Sequence, residues 1–137
     1  MIVLDTNVIS ELMKRQPDEV VEKWFFSLNE ETLCTTTITI AEIEYGLLRL
    51  PDGKRRNDLH DRFTNLIARL SMLVFDINSA SHAAAFRALR ERRGLSAAAS
   101  DMMIAGIAVN ASASLATRNI RDFDHLPIRI VNPWQVH

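Results

Sequence analysis

Short apolar runs alternate with longer amphipathic stretches along the whole chain. "MIVLD" at the start is an unbroken apolar run of strand length, the pattern of a strand buried on both faces. "TNVISELMKR" follows with helical spacing, and either Asp5 or Thr6 serves as its cap. Pro17 suits the first turn of a second helix, "PDEVVEKWFFSL", whose early acids match the helix dipole. The β-branched run "TLCTTT" predicts a second strand. "ITIAEIEYGLLRL" predicts a helix with Ile43, Leu47 and Leu50 on one side, ended by the turn "PDG". Residues 54–70 read as a long amphipathic helix that is basic at its start, and "MLVFDI" as a third strand. An Arg-rich helix over 79–93 stops at Gly94, a glycine C-terminal cap. An alanine-rich helix spans 97–110, "SLATRN" offers a fourth strand, and "IRIVN" before Pro133 a short last one.

Strands separated by helices throughout define an α/β class: a mostly parallel central sheet of four to five strands with helices on both faces. No repeat, low-complexity tract or linker divides the sequence, so it is expected to form one domain over residues 1–137.

Composition narrows the functional classes. A chain of 137 residues with 47% hydrophobic and 24% charged residues can build an ordinary core without staples. The net charge of −1 gives whole-protein electrostatics no role in attracting nucleic acid. Of the 16 basic residues only Lys14, Lys23 and Lys54 are lysines, leaving thirteen arginines, the better bidentate phosphate binders. Cys34 is alone and sits in an apolar run, so no internal disulfide forms and a reducing cytoplasm is expected. No signal-like opening and no apolar stretch of membrane length is seen, which predicts a soluble protein.

The candidate chemistry lies in four carboxylates, each after a predicted strand or near a helix start: Asp5, Glu42, Asp101 and Asp122. In a parallel α/β fold such positions converge at the crevice outside the strand ends. Four acids without a cation repel one another unless a metal neutralises them, which points to Mg²⁺ or Mn²⁺ and to phosphate-ester chemistry. Each acid also has a plainer explanation. Asp5 is a good helix cap, and Thr39 to Glu42 fits a capping box. If the helix starts earlier, Glu42 lies beside Ile38, Tyr45 and Gly46. Asp101 shares a helical face with Ile104, Ala105 and Ala108, where a lone charge needs a partner or a metal, unless Ser100-Asp101 marks the helix start. Asp122 lies among turn formers, and Asp124 is an alternative to it. Asn119 is placed to hold a water or orient a carboxylate.

Other constellations are absent. His60, His82, His125 and His137 lack zinc spacing, and there is no Gly-rich phosphate loop or serine elbow. Among the arginines, Arg118 and Arg121 bracket Asn119 and are the candidates for a substrate phosphate. Arg87, Arg90, Arg92 and Arg93 lie toward a helix end, where the dipole accounts for them. Lys54-Arg55-Arg56 opens a helix against the dipole and suggests a partner or ligand role.

"MIVLDTNVISEL", "TITIAEIEYGL", "AASDMMIAGIA" and "LATRNIRDFDHLPIRIVNPW" resemble a PIN domain of the VapC type over essentially the whole chain. The "LDTNVISE" opening and the closing "NPW" are similar to the FitB-like branch. The resemblance implies a toxin of a toxin–antitoxin pair that cleaves RNA with Mg²⁺ or Mn²⁺. It further implies dimerisation and inhibition by a small DNA-binding, VapB-like antitoxin. By position it makes Asp5, Glu42, Asp101 and Asp122 the acidic site, assigns the metal to Asp5 and Asp101, and matches Thr6, Asn7 and Asn119 to supporting positions. The apolar sides of helices 39–50 and 54–70 are candidates for the dimer surface. The competing expectation is a catalytically silent subunit of a repressor complex that binds DNA through its partner.

Overall fold

A computed structural model describes residues 1–28 and 32–135; His137 lies outside them. The elements run β1 (Ile2–Leu4), α1 (Thr6–Leu12), α2 (Glu19–Ser27), β2 (Leu33–Thr36), α3 (Thr37–Leu48) and α4 (Lys54–Ile67). They continue with β3 (Ser71–Leu73), α5 (Ile77–Arg92), α6 (Ala99–Asn110), β4 (Ser114–Ala116), a 3-10 turn over Ile120–Phe123 and β5 (Ile130–Val131). The sheet order is β3-β2-β1-β4-β5, and every neighbouring pair is parallel. The described residues therefore form a single α/β domain with five parallel strands and six α-helices.

Strand β1 is central because all three of its residues are buried. Val3 points into one layer, with Ala83, Phe86, Met102, Ile104 and Leu115. Ile2 and Leu4 point into the other, with Val8, Trp24, Phe25, Ile43 and Leu47. This alternation puts α5 and α6 on one face and α1 to α4 on the opposite face. The chain builds outward from β1 to β2 and β3, then returns to place β4 on the other side of β1. The reversal of direction falls between β1 and β4, where an open parallel sheet leaves a crevice at its carboxyl ends.

Element boundaries differ from the sequence expectation where side chains take over the backbone's hydrogen bonds. Helix α2 begins after Pro17, because Asp18 caps it by accepting from Val20 N at 2.8 Å and Val21 N at 3.3 Å. Helix α1 ends at Leu12, and Glu11 Oε2 accepts from Asp18 N at 3.1 Å, which turns the following segment back. Helix α5 starts at Ile77 with Asp76 accepting from Ser79 N, and α6 starts at Ala99 rather than 97. Gly94 takes a φ of 71°, as its place after a helix end predicted. Cys34 is fully buried, and burial pushes its thiol up. Among the described residues no helix is long and apolar enough to cross a membrane.

Helices α5 and α6 approach closely at Gly106. A Cβ there would lie 2.4 Å from the Ser79 carbonyl oxygen and 3.0 Å from Ala83 N. Both are backbone atoms and cannot rotate away. Gly106→Ala is therefore expected to destabilise the protein by about 2–3 kcal/mol, despite alanine's better helix propensity. Chemical denaturation checks it; an unchanged or higher midpoint would show that the helices separate at little cost.

Candidate active site

Asp5 follows β1 directly and caps α1, its Oδ1 accepting from Thr6 N at 2.8 Å. Both sequence readings of Asp5 therefore apply to the same residue. Its side chain is 3% exposed, and Oδ2 accepts from Thr117 Oγ1 at 2.7 Å and from Asn7 Nδ2 at 3.2 Å. Thr117 stands immediately after β4, so its hydroxyl links the ends of the two strands that flank the crevice. That hydroxyl also accepts from Asn7 Nδ2 at 3.2 Å and from Asn119 N at 3.1 Å. Asn7 Oδ1 in turn accepts from Arg118 N at 3.2 Å. Asn7 and Asn119 thus tie the segment after β4 to the start of α1.

Glu42 reaches the same place from α3. The capping-box geometry is not formed: α3 starts at Thr37, and its cap is Thr36, which accepts from Thr39 N at 3.1 Å. Glu42 is instead exposed, and its Oε1 accepts from Thr6 Oγ1 at 2.7 Å. Since a carboxylate only accepts, Thr6 donates there, and Thr39 Oγ1 at 3.0 Å donates to Thr6. Thr36 Oγ1 lies 3.4 Å behind Thr39 Oγ1. A file of threonine hydroxyls therefore runs from the end of β2 to Glu42 and orients an otherwise mobile surface acid.

Asp101 is the third residue of α6, in its first turn. The helix start and the core-facing stripe are again both realised, since Ile104, Ala105 and Ala108 are fully buried below it. Asp122 comes from the 3-10 turn and is half-buried. Asp124 is exposed at the end of that turn.

Electrostatics shows which acids sense one another. Burial pushes the Asp5 carboxyl up from its ordinary 3.8; the Thr117 and Thr6 donors oppose this, and the charges of Glu42 and Asp122 add to it. Asp101 is raised to about 6, first by burial, then by the charges of Asp5, Asp122 and Glu42, with Arg90 opposing. Asp122 is among the leading charges acting on both Asp5 and Asp101. The carboxylates from residues 5, 42, 101 and 122 thus form one mutually repelling group. Asp5, Glu42 and Asp101 line a common cleft of about 400 Å³ with Thr6, Asn7, Lys14, Arg118, Asn119 and Trp134. Asp122 lies beside it, in a depression shared with Arg118, Asn119 and Arg121.

Among the described residues, no three His, Cys, Asp or Glu side chains gather tightly enough to enclose an ion alone. A hydrated hard cation needs only one or two carboxylates and completes its shell with water and substrate oxygens. The all-oxygen donors and the mutual repulsion at Asp5 and Asp101 fit Mg²⁺ or Mn²⁺.

Four residues near the site carry no obvious signal in the sequence. Thr117 is one threonine among many until β4 is placed beside β1. Glu11 is buried, lines the cleft and accepts from Lys14 Nζ at 3.1 Å. Trp134, inside the closing "NPW", lies against the ring-facing guanidinium of Arg118. Arg90 corrects the dipole account given to its cluster, because it is 2% exposed and turned inward. Its guanidinium donates to the carbonyls of Ser96 at 2.7 Å, Asp124 at 2.7 Å and Arg121 at 3.1 Å. Those carbonyls precede α6 and flank Asp122, so one buried cation fixes the approach to two of the four acids. Lys54 and Arg55 face a separate depression with Arg15, Asp58 and Arg62, away from the carboxylates.

Known proteins share this fold. The PIN domain profile matches residues 2–128. The chain belongs to the PIN domain family. Within that family it is similar to Toxin FitB of Neisseria gonorrhoeae, with 39% identity over 98% of this chain and 99% of that protein. It is 38% identical, over the same shares, to VapC ribonuclease Y4jK of Sinorhizobium fredii. Among solved structures, FitAB bound to IR36 DNA fragment contains a chain that superposes with a TM-score of 0.89 at 38% identity, covering 100% of this chain and 98% of that one.

Two outcomes test the site's physics. In the metal-free protein Asp101 binds its proton more tightly folded than unfolded, so stability must fall as pH rises from about 4 through 6. Thermal melting in EDTA should show wild type losing more stability than Asp101→Asn between pH 5 and 7; parallel profiles would sink the assignment. Arg90→Ala leaves three carbonyls without their charged donor and should cost on the order of 3 kcal/mol. Equal denaturation midpoints would show the clamp to be dispensable.

Proposed function

We propose that this protein is the ribonuclease toxin of a toxin–antitoxin pair, hydrolysing RNA phosphodiester bonds with Mg²⁺ or Mn²⁺ at Asp5, Glu42, Asp101 and Asp122. The observation that carries the reading is the convergence of these acids, from four separate elements, into one charge-coupled group with a buried and a strongly raised member. The ribonuclease and toxin names of close relatives support the same chemistry.

Asp5 and Asp101 would hold the ion, with Glu42 and Asp122 completing the site directly or through water. When bound, such an ion supplies a Lewis acid that acidifies water and offsets charge building on the phosphate. The rest is done by the chain. Thr117 and Thr6 fix the Asp5 carboxylate, so its lone pairs do not reorient during reaction. Thr6 fixes Glu42 where an acid can accept a proton from an attacking water. Arg118 and Arg121, on the segment joining β4 to Asp122, are the donors for substrate phosphate.

The partner is a small DNA-binding antitoxin; FitAB bound to a DNA fragment supports a complex whose DNA affinity comes through a second chain. An antitoxin Arg reaching the acids would inhibit by replacing metal charge. The exposed Tyr45 and Leu48 on α3 are apolar surface that pairing of two copies would bury. Core packing takes Ile43, Leu47, Phe63 and Leu66, so those positions are not free for an interface.

Purified protein is expected to cut a panel of transfer, ribosomal and messenger RNA with Mg²⁺ or Mn²⁺, and to stop in EDTA. Asp5→Asn and Asp101→Asn should each lower cleavage by at least 100-fold while keeping the fold, read by circular dichroism. Equal cleavage by either folded variant would remove that residue from the site. Metal-dependent thermal stabilisation without cleavage of any RNA would favour the repressor-subunit alternative.

A further inference from the structure

We propose that Arg118 seated on the Trp134 ring forms a nucleotide subsite in which an unpaired base of RNA stacks on the outer plane of the pair, beside the bond to be cut. The inference rests on the ribonuclease reading of the four acids and specifies what the cleft holds next to them.

The cleft that contains Asp5, Glu42 and Asp101 repels a polyanion, so a phosphate entering it needs a cation supplied by the protein. Lys14 and Arg118 are the cations among its lining residues. Lys14 is already paired with Glu11 at 3.1 Å. Among the described residues no carboxylate pairs with the Arg118 guanidinium, although acids surround it. Its Cζ instead lies 5.0 Å from the centroid of the Trp134 ring. A guanidinium laid over an aromatic face keeps its N–H edge unspent and directed outward, the arrangement that grips phosphate bidentately.

Both members are anchored. The Arg118 backbone N–H donates to Asn7 Oδ1, and Asn7 donates to Asp5, so the main chain that bears the cation is tied to the buried acid. The Trp134 N–H donates to Asn132 Oδ1 at 3.0 Å, and the preceding Pro133 is buried. The ring packs partly against the apolar layer that contains Ile2 and Leu4, while it also lines the cleft. A fixed aromatic surface, a planar cation and a phosphoryl-transfer site in one groove are the elements of single-strand recognition. A duplex keeps its bases stacked inside and presents none to such a ring. The pair therefore gives cleavage a sequence preference at the stacked base.

The experiment uses the full-length protein with Mg²⁺ and a single-stranded RNA decamer. Tryptophan emission and fluorescence anisotropy report binding, and steady-state cleavage of the same decamer reports kcat and KM. Trp134→Leu keeps apolar packing without an aromatic face, and Trp134→Phe restores one. The decamer should quench emission of wild type but not of Trp134→Leu. That variant should bind about 5- to 100-fold more weakly, with the loss in KM and kcat within about threefold. Trp134→Phe should recover most of the affinity, and a duplex of the same sequence should not quench. Wild-type binding by Trp134→Leu, or equal quenching by the duplex, overturns the subsite. So does a Trp134→Leu protein that keeps its RNA affinity and loses only the antitoxin, which would make the pair a partner seat. Quenching by RNA that is never cut leaves the subsite standing and overturns the ribonuclease reading instead.

Discussion

A carboxylate with 3% of its surface exposed, held by a threonine hydroxyl from 112 residues further along the chain, is the constraint on which the rest depends. Burying an acid without a paired cation is costly, and the cost falls only when donors surround it. Asp5 obtains those donors from Thr6, Asn7 and Thr117, and they can meet only if β1 and β4 lie side by side in parallel register. The sheet order, the direction of α1 and the path of the chain after β4 all follow from that requirement. The residual strain on Asp5 is what makes it a receptive position for an added positive charge.

Around this anchor the protein uses two unlike devices to aim its other acids. Glu42 is at the surface and is oriented from below by aligned threonine hydroxyls, a polar route that leaves the carboxylate wet. Asp101 and Asp122 are reached through the interior by Arg90, whose three carbonyl contacts bind together the chain on either side of Asp122 and the turn before α6. A guanidinium suits that position because its donors radiate in one plane, and a lysine could not span the three acceptors. The same cation lies close enough to oppose the rise at Asp101, so it acts as a partial counter-charge as well as a clamp.

The fold was largely legible in the sequence because its signals are local. β1 is three apolar residues in a row, Gly94 sits where a left-handed cap is needed, and the strand-helix alternation permits few sheets. The positions of two acids were also visible, since Asp5 follows a strand and Asp101 opens a helix, whereas Glu42 lies within α3 and Asp122 in the 3-10 turn. The parts that stayed hidden are those whose meaning depends on a distant partner. Arg90 looks like any cation near a helix end until the turn carrying Asp122 packs over it. Thr117 has no distinguishing neighbour in sequence. Glu42 matched a capping motif, and only the start of α3 at Thr37 shows that the motif is not formed. The plain explanations of Asp5 and Asp101 were not rivals to their place in the cleft, because a helix start is where a carboxylate can serve both ends.

The placement of Thr117 has a consequence for synthesis of the chain. Asp5 is synthesised long before β4 and the turn that bears Asp122, yet it lacks its Thr117 donor until that last segment is in place. Parallel strands joined by long crossovers also close slowly, since distant contacts must form together. A nascent chain therefore carries most of its acids without having a site.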